Sequence, residues 1–198
     1  MLRTFVLADL VTMANAASGT GAIFLCIRYV ATREPAFALG AFALLPLALV
    51  FDVADGAVAR WRRKQSPLGA DLDSLADVVS FGVAPAALGF SLGLDGFFDA
   101  LVLVYFVACG ISRLARYNVT AETLSDERGK VSYYEGTPIP TSLGLVAILG
   151  GAWWAGAIHD AIWLGEFELA GFRFHPLVLM YAVSGSAMIS GSLRIPKP

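Results

Sequence analysis

Apolar residues run through this chain in long blocks broken by short polar stretches, a pattern of membrane-crossing helices rather than of amphipathic surface helices or alternating strands. A crossing helix needs about 20 mostly apolar residues. Six blocks come near that length: Leu7 to Val30, Phe37 to Trp61, Leu68 to Leu94, Phe97 to Tyr117, Pro140 to Ile158 and Pro176 to Leu193. The pattern predicts an all-α integral membrane protein of six transmembrane helices, forming a single domain over residues 1–198. Two connections are longer than the rest. Val119 to Thr137 is polar and charged, while Asp160 to His175 mixes acids with aromatics, a composition suited to the membrane–water boundary. The stretch MLRTFVLADL lacks a compact apolar core followed by a small-residue cleavage site, so the first block reads as a retained helix.

Composition narrows the class further. With 57% hydrophobic and 15% charged residues and a mean hydropathy of +0.68, the chain is too apolar for an ordinary soluble domain or a nucleic-acid-binding one. The net charge of -2 decides little, because in a membrane protein the placement of charge matters more than its sum. Arg3, Arg60, Arg62, Arg63, Lys64, Arg113, Arg116, Arg128, Lys130, Arg194 and Lys197 fall on one side of a six-helix topology, and only Arg28, Arg33 and Arg173 on the other. Basic residues favour the cytoplasmic side, so both termini are expected there, in the cell membrane. Cys26 and Cys109 both sit in apolar stretches and read as small buried hydrophobes rather than a disulfide or metal pair.

Against this apolar background the segment from Phe51 to Gly82 carries five aspartates. Asp52 and Asp55 lie near the end of the second helix, Asp73 and Asp77 near the start of the third, with Ser66-Pro67 between them as a helix N-cap and first-turn pair. Residues three and four apart share a helix face, so the two pairs point at each other across a hairpin. Four bare carboxylates in one pocket repel one another and are costly to desolvate, so a positive charge between them is required. Ligation by oxygen alone suits a hard divalent cation such as Mg²⁺, Mn²⁺ or Ca²⁺. Four carboxylates can hold two such ions about 3.5–4 Å apart, an arrangement used in phosphoryl chemistry. Gly56, Ala59 and Gly69 are small residues that leave clearance beside them. Asp71 lies off the shared face, and Asp9 stands in the first turn of the first helix; both read as solvated acids favouring the positive end of a helix dipole.

Taken in full, Asp52-x-x-Asp55-Gly56-x-x-Ala59-Arg60, eight residues, Gly69-x-x-x-Asp73-x-x-x-Asp77 resembles the signature of the CDP-alcohol phosphotransferase superfamily. Within it, LDSLADVVSFGVAPA, ACGISRLARYNV, YYEGTPIPTS and Thr12-x-x-Asn15-x-x-x-Gly19 are similar to blocks of the membrane-embedded phosphatidylserine synthases. The chain departs from these relatives at Asp9-Leu10, where a proline-asparagine start is frequent, and in an almost absent amino-terminal extension. The resemblance implies six transmembrane helices, a homodimer and two divalent ions, Mg²⁺ or Mn²⁺, on Asp52, Asp55, Asp73 and Asp77. It also implies transfer of a phosphatidyl group from CDP-diacylglycerol or CDP-archaeol to L-serine with release of CMP. It assigns the general base to Asp77 and the nucleotide site to Gly56, Ala59, Arg60 and Gly69. Arg113 and Arg116, three apart on the fourth helix, suit the carboxylate of an amino-acid acceptor, with Ser112 and Asn118 adding hydrogen bonds. Arg62, Arg63 and Lys64, at the hairpin tip, suit anionic lipid headgroups.

Alternatives stay open at this point. The same chemistry serves glycerol 3-phosphate, an inositol phosphate or choline, although a phosphorylated acceptor asks for more cations than Arg113 and Arg116. A divalent-cation transporter needs ionisable groups along a path across the bilayer, whereas these crowd at one surface. Of the remaining polar groups, His159 and His175 read as interfacial, and Trp61, Trp153, Trp154 and Trp163 as aromatic-belt residues. Ala182, Ser186 and Ser190 form a small-residue stripe fit for packing within the chain or against a second copy.

Overall fold

The computed structural model describes residues 6–62, 68–125 and 133–196, with the side chains of residues 59–62, 120–125, 133–135 and 194–196 outside that description. Six apolar helical segments occupy the six expected places. Four are long and apolar enough to cross a membrane: α1 and α2, crossing over Leu7–Thr32 and Pro35–Val58, α3 over Gly69–Ser91, and α4 over Phe97–Val119. As full helices α2 reaches Arg62 and α4 reaches Ser125. The other two, α5 at Ile139–Trp154 and α6 at Pro176–Ile189, are shorter. The chain divides into two compact units, residues 1–91 and 92–198.

In the first unit α1 and α2 pack along their lengths where small residues let the backbones approach. Gly21 faces Leu44 and Gly40 faces Leu25, each close enough that an added Cβ would crowd the leucine. Helix α1 buries Asp9, Thr12, Asn15 and Ser18 in its first half and Ala22, Cys26 and Tyr29 in its second. Leu10, Met13, Phe24 and Ile27 face outward instead. Polar inside and apolar outside is the arrangement a lipid solvent selects, since each buried polar group then finds protein partners.

Helix α3 is continuous but irregular. Immediately after Asp77 it widens into π-helical turns over Val78–Val83 before resuming as α-helix. There Ser80 meets α1: its Oγ donates to the Asn15 carbonyl at 2.9 Å, and a Cβ on Gly19 would collide with it. Close approach of the two backbones is what requires glycine at that position.

The second unit rests on α4 against α6. Phe106 and Tyr181, both fully buried, meet edge to face with ring centroids 5.1 Å apart. Gly185 sits against the Phe106 backbone and Cys109. The buried face of α6 is therefore Tyr181, Gly185 and Met188, and the stripe of Ala182, Ser186 and Ser190 lies beside it, with Ser186 hydrogen-bonded to Tyr105 at 3.0 Å. Two small antiparallel pairs complete the unit: β1 at Tyr133–Glu135 with β4 at Arg194–Pro196, and β2 at Phe167–Leu169 with β3 at Phe172–Phe174. Gly136, with φ of 75°, docks the turn after β1 against the end of α6.

Candidate metal and active site

The aspartate pocket is built wholly within the first unit. Helix α2 brings Asp52 and Asp55 in near its end and α3 brings Asp73 and Asp77 in near its start, as their three- and four-residue spacings require. Asp52, Asp55 and Asp73 each offer a carboxylate oxygen within 4.8 Å of the others. Asp77, one turn further along α3, is buried. Gly56 and Gly69 flank the pocket on the same two helices and are partly exposed, while the side chains of Ala59 and Arg60 lie outside the described residues. The basic tip Arg62, Arg63 and Lys64 and the Ser66-Pro67 cap also lie outside them, in whole or in their side chains. Asp71 is exposed, off the shared face.

Helix α1 contributes what the aspartate spacing did not disclose. Thr12 donates from Oγ1 to Asp55 Oδ2 at 2.6 Å. Asn15, wholly buried, donates from Nδ2 to Asp77 Oδ1 at 3.3 Å. Because a carboxylate only accepts, Asn15 must present its N–H₂ to Asp77 and keep its own carbonyl oxygen for another donor. Thr12 and Asn15 were legible only as members of a resembling block. The signal that finds them is the polar row Asp9, Thr12, Asn15 and Ser18, recurring every third residue inside an apolar crossing helix.

Asp9 corrects the reading of a solvated acid: it is buried and accepts the Val6 backbone N–H at 2.9 Å, capping the first turn of α1. His175, expected to be interfacial, does not face solvent. It is buried against Asp99 at the head of α4, with its ring Nδ1 2.5 Å from Asp99 Oδ2. His159 is partly exposed and packs over Gly93. Trp154 and Trp163 are exposed, as belt residues are.

The donor set fits a hard divalent cation. Every candidate ligand atom is oxygen. Asp73 Oδ1 and Asn15 Oδ1 are buried without a hydrogen-bond partner, a condition that costs about 1–3 kcal/mol per group unless something outside the chain supplies the partner. Carboxylates gathered this closely, with no lysine or arginine paired to them among the described salt bridges, call for a cation from solution.

The other predicted group lies in the second unit. On α4, Arg113 is buried while Arg116 is exposed. Arg116 lines a cavity of about 380 Å³ with Tyr105, Ala108, Cys109, Ser112 and Ile189. The two arginines thus share a helix segment but differ in environment; Asn118 is partly exposed two residues on.

Comparison with known proteins adds an independent line. The CDP-alcohol phosphatidyltransferase family matches residues 5–175. The chain is 45% identical to the CDP-diacylglycerol–serine O-phosphatidyltransferase of Saccharomyces cerevisiae, with all of this chain and 73% of the yeast protein aligned. It is 32% identical to the archaetidylserine synthase of Methanothermobacter thermautotrophicus over 96% of this chain and 70% of that protein. Identity to the CDP-diacylglycerol–serine O-phosphatidyltransferase of Mycobacterium bovis is 29%, over 90% of this chain and 63% of the relative's length.

Proposed function

The chain belongs to the CDP-alcohol phosphatidyltransferase family, and from that premise we propose that it transfers a phosphatidyl group from CDP-diacylglycerol or CDP-archaeol to the hydroxyl of L-serine, giving phosphatidylserine or its archaeal counterpart and CMP. The observation that carries the chemistry is the convergence of Asp52, Asp55 and Asp73 within 4.8 Å, with a buried carboxylate oxygen left unpartnered. The names of the relatives from yeast and from the methanogen support serine as the acceptor.

Two divalent ions, Mg²⁺ or Mn²⁺, held by Asp52, Asp55, Asp73 and Asp77, would supply the positive charge that neutralises the diphosphate and turns CMP into a good leaving group. The protein's own groups do the rest. Asp77 takes the proton from the attacking serine hydroxyl, the role the family resemblance gives it. Asn15 holds Asp77 Oδ1 by its amide, which fixes the carboxylate's orientation and leaves its second oxygen for that proton. Thr12 orients Asp55 in the same manner. Gly56, Ala59, Arg60 and Gly69 receive the nucleotide, the small residues by leaving clearance and Arg60 by its charge. Arg113 and Arg116 receive the serine carboxylate, with Asn118 beside them. In this reading the two units act as a single catalytic domain, the protein is a homodimer, and the site and both termini face the cytoplasm from the cell membrane.

The test is CMP release by the purified protein in lipid, given a CDP-lipid, Mn²⁺ or Mg²⁺ and a panel of acceptors. Release is expected with L-serine and not with glycerol 3-phosphate, inositol phosphate or choline. Equal release with any of these overturns the acceptor assignment, and no release with any of them overturns the transfer itself.

A further inference from the structure

The hairpin of β2 and β3 has two unlike faces. Its register pairs Phe167 with Phe174, Glu168 with Arg173 and Leu169 with Phe172. Alternation along each strand then gathers Phe167, Leu169, Phe172 and Phe174 on one side and Glu168 and Arg173 on the other. The two-residue connection, Ala170 and Gly171, has φ of 51° and 81°, the positive pair that a tight hairpin of right-handed twist requires. On the apolar side Phe167 is 60% exposed, and Leu169 and Phe172 are each 51% exposed. Trp163 and Leu164, just before the hairpin, are exposed as well.

This hairpin is fastened to the head of α4. His175, directly after β3, donates its backbone N–H to Asp99 Oδ1 at 3.0 Å, and its ring meets Asp99 Oδ2. That same oxygen accepts the Gly96 N–H at 2.9 Å. A Cβ on Gly96 would strike the Arg173 carbonyl, so the chain passes there at the closest approach a backbone permits. Arg173 also pairs with Asp95 at 3.5 Å. A two-stranded hairpin is at best marginally stable alone; these links hold it in one place.

That place has a definite depth. Phe97 begins the membrane-crossing stretch of α4, and Phe172 packs on it with ring centroids 5.0 Å apart, while meeting Phe98 edge to face with centroids 6.2 Å apart. The outward stripe of α4, Phe97, Leu101 and Val104, is exposed along the crossing segment and runs without a break through Phe172 onto the apolar side of the hairpin. Soluble surfaces rarely carry apolar patches of this kind. Aromatic side chains with charged neighbours concentrate instead where acyl chains meet headgroups.

We propose that the β2–β3 hairpin is an interfacial membrane anchor: Phe167, Leu169 and Phe172 lie in the headgroup–acyl boundary of the leaflet where α4 begins, Glu168 and Arg173 face water, and the Asp99–His175 contact sets the depth. Its partner is the bilayer itself, and the anchor is independent of the transfer chemistry proposed above. The full-length protein, with Cys26 and Cys109 replaced by alanine, is placed in vesicles of phosphatidylcholine and phosphatidylglycerol and nitroxide-labelled through Phe167→Cys, Leu169→Cys or Glu168→Cys in turn. The ratio of oxygen to nickel-chelate accessibility is expected to be several-fold higher at 167 and 169 than at 168. Nickel access at 167 equal to that at 168 puts the hairpin in water and overturns the proposal. Shielding from both reagents at 167 also overturns it, by showing a protein contact such as a second copy. A second measurement avoids the cysteine: Phe167→Trp, in a background with the four native tryptophans changed to phenylalanine, is expected to be quenched more by lipids brominated near the headgroup than by lipids brominated at the chain end. Absence of lipid quenching refutes the anchor.

Discussion

Two sets of buried acid in this molecule are put to opposite uses. Asp99 is fully buried, yet its oxygens are taken up by the Gly96 and His175 backbone N–H groups and the His175 ring. Asp52, Asp55, Asp73 and Asp77 are less deeply enclosed, yet crowd together with one buried oxygen unpartnered. A carboxylate saturated by donors of its own chain stabilises the fold. Carboxylates that lean on each other with fewer donors than they can accept destabilise it until a cation arrives, the usual sign of a site kept for function. The number of internal donors, more than burial, separates structural from chemical acids here.

The sharpest way to break that contrast is to remove the divalent ions. Chelation is expected to abolish CMP release completely, with recovery on adding Mn²⁺ or Mg²⁺, and to lower the melting temperature of wild-type protein. A metal-stripped protein with undiminished turnover would show that the aspartates hold no essential ion. Next in size is Asp77→Asn, expected to reduce kcat by about 10²–10⁴-fold, the range of a lost general base, while metal-dependent binding of CDP-lipid persists. Activity within a few-fold of wild type would remove Asp77 from the base role.

Asn15→Leu preserves side-chain size but deletes the N–H held by Asp77. A hydrogen bond to a charged group is worth roughly 1.5–3 kcal/mol, so kcat should fall by about ten- to a hundredfold. The melting temperature should hold or rise, because the buried carbonyl oxygen without a partner goes too. A large fall in melting temperature with kcat unchanged would mark Asn15 as packing alone. Asp99→Asn and Asp73→Asn should then differ in sign: in metal-free protein the first is expected to lose about 2 kcal/mol of stability with its charge-assisted bonds, and the second to gain stability by relieving repulsion. Thermal unfolding of the two variants side by side reads the difference, and a shared sign would end the distinction between the two sets. Smallest is Asp71→Asn, an exposed substitution expected to change stability by less than about 0.5 kcal/mol and to leave kcat and metal affinity unchanged.

Much of this was legible along the chain because its physics is local. Long apolar blocks predicted all six helical segments, since a bilayer sets a minimum apolar length. The aspartate hairpin was legible because helical periodicity alone aligns Asp52 with Asp55 and Asp73 with Asp77. Lengths were less secure: α5 and α6 emerge shorter than the blocks that announced them, as turns and strand pairing claim the flanking residues. Asp9 was misread because its capping partner, Val6, carries no signature in a side chain. The partner of His175 was not legible because it lies 76 residues away, on the first turn of α4.

Residue pattern and the demands of a lipid solvent settle the class of molecule, the placement of its helices and the identity of its metal-ligand candidates, because each follows from neighbours within one or two helical turns. Packing settles the rest. Asn15 meets Asp77 across 62 residues, Ser80 reaches the Asn15 carbonyl from an irregular turn of α3 that no local propensity specifies, and Asp99 becomes a structural acid only once the hairpin returns to it. These are contacts between helices brought together by folding, and no periodicity within a single helix encodes which partner will stand opposite.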